Sequence, residues 1–398
     1  MVQKLGRWSE LNNEVEVSQL EKGMDFREPR YRREVFLRFY EFHLKHRSHP
    51  GGVYFAMPWI ANKFGFDFEQ KLWMAFINGC SQNIVTTWKI FQNFPSIKNL
   101  DLDSLNDWWN SNHTKFKSGS GWDSDRKYHK IGKTGLVESV ASYKKQLDKF
   151  SSQQEMFESK FYELHGCGGI GTPYKNFDAV WDFVRKDFLS FGRLSTFSYL
   201  EYLRIQGLKI ECSSLFLDDI SGSRSHRNGL CKVLGRDDLD WWDHKESHNP
   251  NFGGYEKETI AWLVTEAEIL LEEAKIKIRH KDVNYFTMES AFCTYKSWHR
   301  PNRRYPNVYM DMMHDRIRYA ESQWGPEFDI FWEMRKECLP SNLLLEENPA
   351  DPGVKSDKQN HYRNTGQVIM MDKEWDCFEN DFNNRLNILN VMFSKGDF

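Results

Sequence analysis

The chain of 398 residues is long enough for one large or two ordinary domains, each with its own hydrophobic core. Its 54 Lys and Arg nearly balance its 57 Asp and Glu, for a formal net charge of −3, which excludes a protein coated in positive charge, such as a histone-like binder. Nucleic acid stays open as a partner, because a nucleic-acid footprint is a local basic patch rather than a total.

Seven cysteines are scattered along the chain without a CxxC pair. This spacing favours a reducing compartment and argues against a disulfide framework or a zinc knuckle. The N-terminal residues carry no apolar signal region, and no run of about 18 apolar residues occurs anywhere. We therefore expect a soluble, cytoplasmic protein with no membrane partner.

Helical periodicity dominates the chain, and no sustained run alternates apolar and polar residues as a half-buried strand would. The clearest stripe runs from Glu256 to Arg279, with apolar residues on one face and Glu and Lys opposite. The pattern predicts a mostly α-helical fold. The predicted helices in chain order are 31–45, 68–92, 104–112, 136–149, 153–164, 176–191, 194–206, 256–279, 307–323 and 368–392.

Stretches rich in Gly, Ser, Pro and charge predict loops between these helices. They cover 117–133, 165–176 and 341–366. We predict an N-terminal helical region at 1–150, a catalytic body at 151–340, and a surface loop with a C-terminal helix at 341–398. These boundaries are soft, and a single domain remains an alternative.

The first segment with candidate functional residues spans Phe188 to Trp242. Its predicted elements are, in order, a helix, a tight turn, a second helix, an acidic loop and a Ser/Arg/His cluster. This order resembles the helix-hairpin-helix DNA glycosylases, in which a glycine hairpin holds a DNA phosphate and an aspartate and an arginine follow. The resemblance assigns the hairpin to Gly192 with Arg193, the catalytic aspartate to Asp219, and the arginine to Arg224. Leu189 or Ser190 replaces the first hairpin glycine, Asp218 competes with Asp219, and an ordinary helix–turn–helix corner is the alternative.

The cluster from Ser221 to Asn228 combines small hydroxyls and glycine with two arginines. Ser223, Arg224 and Arg227 offer donors to phosphate oxygens, and such a loop ahead of a helix is typical of an anion site. A solvated capping loop is the alternative interpretation.

The second segment, Phe286 to Arg318, interleaves cations with aromatic rings and is interrupted by two prolines. Such a strip is suited to hold a nucleic-acid backbone or a pyrophosphate and to stack a displaced base. The helix that follows places Asp311, His314, Asp315 and Arg318 on one face. That spacing is typical of an acid/base pair, a divalent metal site or a salt-bridged surface. We predict no cofactor, with a divalent metal left open. The cations and rings of the strip are Lys296, Arg300, Arg303, Arg304, Trp298, His299 and Tyr305.

Three sequence motifs resemble those of the α-glutamyl/putrescinyl-thymine pyrophosphorylases, or amino acid:DNA transferases, of phage thymine hypermodification. They are FTMESAFCTYKSWHRPNRRYPNVYMDMMHDRI, FGRLSTFSYLEYL and LFLDDISGSRSHRNGLCKVLGRDDLDWW. The resemblance spans roughly 70–325. It implies a helical glycosylase-like fold, action in an infected bacterial host, and a substrate of double-stranded DNA bearing 5-(pyrophosphoryloxymethyl)uracil. The implied reaction is displacement of pyrophosphate by an amine from an amino acid or putrescine.

The residue types suit that chemistry. The arginines at 224, 227 and 300, with Ser223 and Lys296, would hold the leaving group. Asp219 or Asp218, or His226 or His299, would accept the proton of the amine. The rings of Trp298 and Tyr305 would support an extruded base, and Arg303 and Arg304 would bind the DNA backbone.

Cys293 suggests a covalent route, in which its thiolate adds to C6 of uracil beside Lys296. A small buried hydrophobic residue is the more ordinary role for such a cysteine. Two other functions stay open, a DNA glycosylase acting on a modified base and a non-catalytic DNA-binding phage protein. A P-loop kinase is excluded, because HGCGGIGT lacks the Lys-Ser/Thr ending that cradles ATP phosphates.

Overall fold

A computed structural model describes residues 29–45, 53–116, 135–164, 169–170, 172–217, 225–239, 257–296 and 308–338, with backbone only for some of them. Fourteen α-helices make up most of these ranges, which confirms the mostly α-helical fold. The helix-hairpin-helix glycosylase architecture stays a prediction. The helices are α1 Pro29–Lys45, α2 Val53–Lys63, α3 Phe68–Ser81, α4 Ile84–Asn93, α5 Leu102–Asn112, α6 Leu136–Leu147, α7 Gln153–Glu158, α8 Pro173–Asp187, α9 Arg193–Ile205, α10 Ser225–Val233, α11 Lys257–Ile278, α12 Tyr285–Tyr295, α13 Val308–Trp324 and α14 Asp329–Cys338.

The long helix predicted over 68–92 is wrong, because two helices occupy this range. The chain leaves α3 at Gln82, whose φ of 51° is left-handed, and α4 begins after Asn83. The Asn83 side chain accepts hydrogen bonds from the backbone N–H groups of Val85 and Thr86, at 3.1 and 3.4 Å. An N-cap of this kind is a local signal that apolar periodicity conceals.

The helix predicted over 153–164 is also too long. It ends at Glu158, and β1 (Glu163–Leu164) then pairs antiparallel with β2 (Gly169–Ile170). The predicted helix over 176–191 instead runs from Pro173 to Asp187. Proline at the first helical position fits this start, because its missing N–H has no partner to lose there.

Three helices escaped prediction, and two of them lack the amphipathic pattern. The α2 sequence VYFAMPWIANK is apolar around most of its circumference and contains Pro58. The α12 residues 286–292 are all buried, so this helix has no polar face in that stretch. The short α14 has only 10 residues. Hydrophobic periodicity identifies helices with one exposed face, and it fails for helices that are buried all round.

The chain divides into two compact units, each discontinuous in sequence. One unit comprises 1–49, 214–311 and 338–398, and the other comprises 50–213 and 312–337. The predicted boundaries at 150 and 340 stay a prediction. No helix in the described ranges is both long enough and apolar enough to cross a membrane.

The unit built from 50–213 and 312–337 has an aromatic core. Phe76 lies at its centre, with ring centroids of Tyr143, Phe191 and Tyr199 at 4.2, 5.6 and 5.7 Å. Helices α3 and α9 approach closely at Gly79, where an added Cβ would lie 3.1 Å from the Tyr199 side chain. Edge and tilted ring contacts of this kind add to the hydrophobic burial.

The unit built from 1–49, 214–311 and 338–398 has its core between α1, α10 and α12. Phe36 of α1 stacks on Phe292 of α12 at 4.8 Å and meets Tyr295 edge-on at 5.4 Å. The Tyr295 hydroxyl donates to the carbonyl oxygen of Arg32 at 3.1 Å. These contacts hold α12, which carries much of the second chemical segment, against the core of its unit.

Candidate active site

Helices α10 and α12 pack against each other with almost no space between their backbones. A Cβ built at Gly229 of α10 would lie 2.1 Å from the carbonyl oxygen of Phe292 on α12. Only glycine permits that approach, because any side chain would overlap the backbone of the neighbouring helix. The contact fixes the relative position of two helices that belong to the two chemical segments.

The start of α10 meets the end of α12 at one hydrogen bond, in which the Lys296 ammonium donates to the Ser225 hydroxyl. Ser225 is the first residue of α10 and directly follows the stretch 218–224. Lys296 follows the last residue of α12 and begins the cation and aromatic strip 296–305. The two segments singled out in the sequence therefore converge at this contact.

A histidine and a carboxylate face each other inside the same helix pair. Nδ1 of His226 lies 3.6 Å from Oε1 of Glu289, and the two side chains are 0% and 7% exposed. The separation suits an ion pair when the imidazole is protonated. His226 was predicted as a proton acceptor, but its complete burial requires a local opening before it reaches a substrate amine.

Arg227, predicted to hold the leaving group, is among the largest fully buried side chains and is 2% exposed. It lies two residues after Ser225, which is about 200° around a helix. His226 and Gly229 are three residues apart and share the face toward α12. Arg227 therefore lies on a different side of α10 from the Ser225–Lys296 contact.

Cys293 and Lys296 are three residues apart at the end of α12, so their side chains share one side of the helix. Both are half-buried. This placement keeps the thiol near the same end of the unit as the Ser225–Lys296 contact. Its role as a nucleophile stays a prediction.

The opposite end of α10 is held by an ion-pair cluster. Arg32 of α1 donates to both carboxylate oxygens of Asp237, at 2.8 and 2.9 Å, and Lys232 donates to one of them at 2.6 Å. Burial by itself raises the pKa of Asp237, but the hydrogen bonds and charges of Arg32 and Lys232 outweigh it and hold that pKa well below its usual value. The cluster links α1 to the end of α10, so Arg32 and Lys232 have a structural role here.

The predicted phosphate-binding hairpin lies between α8 and α9, in the unit built from 50–213 and 312–337. Ser190 has a left-handed φ of 63°, so the turn exists although serine stands where the glycosylases have glycine. Gly192 is exposed and caps α9 without a side-chain hydrogen bond, and an added Cβ would meet nothing within 4 Å. Arg193 is 2% exposed, so it lies in the interior rather than on a surface open to DNA.

The remaining predicted site residues lie outside the described residues, so their placement stays a prediction. On the helix face that suggested a metal or an acid/base pair, Arg318 pairs with Glu321 at 3.2 Å, whereas the side chains of Asp311, His314 and Asp315 lie outside the described residues, so the role of this face stays a prediction. Among the described side chains, no three His, Cys, Asp or Glu residues group as metal ligands would. The undescribed predicted residues are Asp218, Asp219, Ser223, Arg224, Trp298, His299, Arg300, Arg303, Arg304 and Tyr305.

Sequence reasoning missed Ser225 and Glu289. Ser225 was seen only as part of a Ser/Arg cluster, and its contact with Lys296 joins positions 71 residues apart. Glu289 lies in the stretch FTMESAF, and a carboxylate within a buried helix is itself a signal, because such a group requires a partner. The partner, His226, was already a candidate.

Two comparisons with known proteins found matches. The family model described as amino acid:DNA transferase matches residues 53–304, which is more than half of the chain. A relative from Salmonella phage ViI, described as a serinyltransferase, is 29% identical over 322 residues, covering 75% of this chain and 71% of the phage protein. No solved structure matches the chain.

Proposed function

The chain belongs to the amino acid:DNA transferase family, and from that premise we propose that it displaces pyrophosphate from 5-(pyrophosphoryloxymethyl)uracil in double-stranded DNA with the amine of an amino acid. The observation that carries this proposal is the contact between Ser225 and Lys296. Ser225 directly follows the stretch with Asp218, Asp219 and Arg224, and Lys296 directly precedes the other cations and rings, so we infer that the two parts that the reaction requires meet there.

The leaving group requires positive charge, because several negative charges develop on pyrophosphate as it departs. Arg224 and Arg300 lie on the two segments that converge at Ser225, and Lys296 already lies there. Arg227 is buried on another side of α10, so we propose that it supports the helix rather than contacting the leaving group. Replacing Arg224 with Lys should slow the chemical step, because a point charge does not reproduce a two-pronged guanidinium contact.

The amine must lose a proton to become a nucleophile, and we propose Asp219 as the acceptor, with Asp218 and His299 as alternatives. The buried His226–Glu289 pair is better suited to hold the first turn of α10 in place. Trp298 and Tyr305 would stack on a thymine extruded from the duplex.

Cys293 provides a covalent variant of the same reaction. Its thiolate would add to C6 of the uracil, and the resulting enolate would expel pyrophosphate and leave an exocyclic methylene at C5. The amine would then add to the methylene carbon and give up its proton to the acceptor side chain. The re-formed enolate would then expel the thiolate from C6. Cys293→Ser should abolish this route and leave direct displacement intact.

In the test, the protein is incubated with DNA carrying the pyrophosphorylated base and with a set of amines. Serine is included because the phage relative is described as a serinyltransferase, and putrescine is included as the alternative donor. Mass spectrometry of the nucleosides should show an amino acid joined to the thymine methyl carbon, with one pyrophosphate released per base. Unmodified DNA should give no product, and ATP should not be required. Abasic sites in place of pyrophosphate would identify a glycosylase, and DNA binding without a product would identify a binding protein.

A further inference from the structure

Helix α11 has an apolar stripe on its solvent-exposed side. The helix buries Leu263 and Leu270 completely, whereas Ile269 and Ile276, on the opposite side, are 49% and 70% exposed. Of the described residues in the unit built from 1–49, 214–311 and 338–398, these two isoleucines are the only large hydrophobic residues that are exposed. They lie two helical turns apart and share one face, so they offer a docking surface for another apolar helix.

The C-terminal end of α11, next to Ile276, is basic, and its residues 275–281 have the sequence KIKIRHK. The two lysines within the helix already have carboxylate partners in the same unit. Arg279 and Lys281 are exposed, and no carboxylate among the described residues forms an ion pair with either of them. Two positive charges at this end of the stripe can therefore pair with an acidic segment.

The helix predicted over 368–392 lies outside the described residues and stays a prediction, but its sequence indicates what such a helix would have to bury. Its apolar residues would fall within about 80° of one another around the helix axis. Between positions 372 and 387, every residue off this stripe except Cys377 is polar or charged. A helix of this pattern is marginal by itself and requires an apolar partner. The residues of the stripe are Val368, Met371, Trp375, Phe378, Phe382, Leu386 and Leu389.

The two stripes match in spacing and in charge. Phe382 and Leu389 are separated by the same two helical turns as the exposed isoleucines of α11. In an antiparallel arrangement Phe382 would oppose Ile276, and Leu389 would oppose Ile269. Residues 372–381, with five Asp and Glu against one Lys, would then lie beside the basic end of α11. A parallel arrangement would instead place this acidic stretch beside the glutamates that precede Ile269, so charge repulsion disfavours it.

We propose that the helix predicted over 368–392 docks antiparallel on the exposed side of α11 in the same chain, with Glu379 opposite Arg279. Both partners belong to the unit built from 1–49, 214–311 and 338–398. The chain connection favours this contact over the same contact with a second copy, because it holds the partners at a high effective concentration. The family model ends at residue 304, so the docked segment lies beyond the part of the chain that matches the family.

Hydrogen exchange measured by mass spectrometry on the full-length protein tests the apolar part of this contact. The amides of residues 372–390 should exchange slowly in the wild type. Ile276→Ser should accelerate their exchange by about tenfold or more, because the apolar contact beneath the segment is lost. Isoleucine and serine have similar helix propensities, so α11 itself should persist. Tyr174→Ser is the matched control, since Tyr174 is 49% exposed and lies in the other unit, and it should leave the exchange of 372–390 unchanged.

A charge exchange tests the antiparallel orientation. Arg279→Glu and Glu379→Arg should each accelerate the exchange of residues 372–390 by about twofold to fivefold, because each places like charges opposite one another. The double variant restores an opposite-charge pair and should return the exchange rate toward that of the wild type. Circular dichroism and melting temperatures of the full-length variants establish that each is folded.

Three results would overturn the proposal. Exchange of residues 372–390 in the wild type at the rate of an unfolded peptide would show that the segment does not dock. Slow exchange that neither Ile276→Ser nor Arg279→Glu changes would place the segment on another surface. Protection that rises with protein concentration, together with a dimer in sedimentation velocity, would assign the contact to a second copy of the chain. Transferase activity enters none of these measurements, so they are independent of the proposed function.

Discussion

Gly229→Ala inserts one methyl group between α10 and α12. The new Cβ would lie 2.1 Å from the carbonyl oxygen of Phe292 and 2.8 Å from the Phe292 Cβ, and neither atom belongs to the flexible end of a side chain. The helices must therefore separate by about 1 Å, because an interior at crystal-like density has no slack to absorb the overlap. Separation of this size costs about 3 kcal/mol, the upper end of the range for overpacked cores.

The sign of the effect makes this variant decisive. Alanine is favoured over glycine in the middle of a helix by about 1 kcal/mol, so without the close approach Gly229→Ala would stabilise the protein. With it, we expect a net loss of about 2 kcal/mol in the free energy of unfolding and a melting temperature lower by roughly 4–8 °C. Catalysis should suffer more, because a displacement of about 1 Å between Ser225 and Lys296 can cost about a hundredfold in rate.

Thermal unfolding by circular dichroism and single-turnover pyrophosphate release measure the two effects. Gly192→Ala is the control for stability, since an added Cβ there meets nothing within 4 Å, and its cost as an N-cap should stay below about 1 kcal/mol. A melting temperature for Gly229→Ala equal to or above that of the wild type would refute the close packing of α10 on α12 and the site built on it.

Three further predictions concern DNA binding, chemistry and pH. Arg303→Ala combined with Arg304→Ala should weaken DNA binding across sequences and lower the salt slope by about one unit per lost phosphate contact; an unchanged slope would remove this strip from the footprint. Asp219→Asn should keep the melting temperature and lower the single-turnover rate by about a hundredfold or more, whereas full activity there with a loss in Asp218→Asn would move the base by one residue. Because the pKa of Asp237 is lower in the folded state than in the unfolded chain, its ion pairs stabilise the fold at neutral pH and this contribution is lost as the pH falls below about 4. Asp237→Asn should therefore unfold more readily than the wild type at pH 7, by about 1 kcal/mol or less for this half-exposed group, and the difference measured by urea denaturation should shrink in acid; a difference that persists at low pH would contradict an electrostatic origin.

Buried polar residues are where sequence reasoning and structure differ most in this protein. Arg193, His226 and Arg227 were predicted to meet DNA or substrate, yet all three are at most 2% exposed. A sequence pattern identifies a residue type and its spacing, whereas burial depends on which remote helix covers the residue. The exposed Gly192 and the half-buried Lys296, by contrast, remain accessible for the roles predicted for them.

The sequence by itself determined the helical class, the positions of most helices and the family, and it singled out two segments as candidates for the chemistry. These properties are local, since hydrophobic periodicity, capping residues and sequence motifs are all recognised within short stretches of chain. The same locality explains the errors. The break at Gln82 is not visible in the apolar pattern, because a change of backbone geometry at one residue leaves that pattern unchanged. The buried α12 has no periodic signal, because burial on all sides makes its apolar pattern uniform.

Only the tertiary structure decided which of these segments meet. The contact of Ser225 with Lys296 joins residues 71 apart, and the ion pair of Lys89 with Glu327 joins residues 238 apart. The close approach at Gly229 depends equally on a partner in another helix. Such contacts form because separate apolar faces are buried together, and the free energy of that burial depends on the whole unit rather than on any one stretch of sequence.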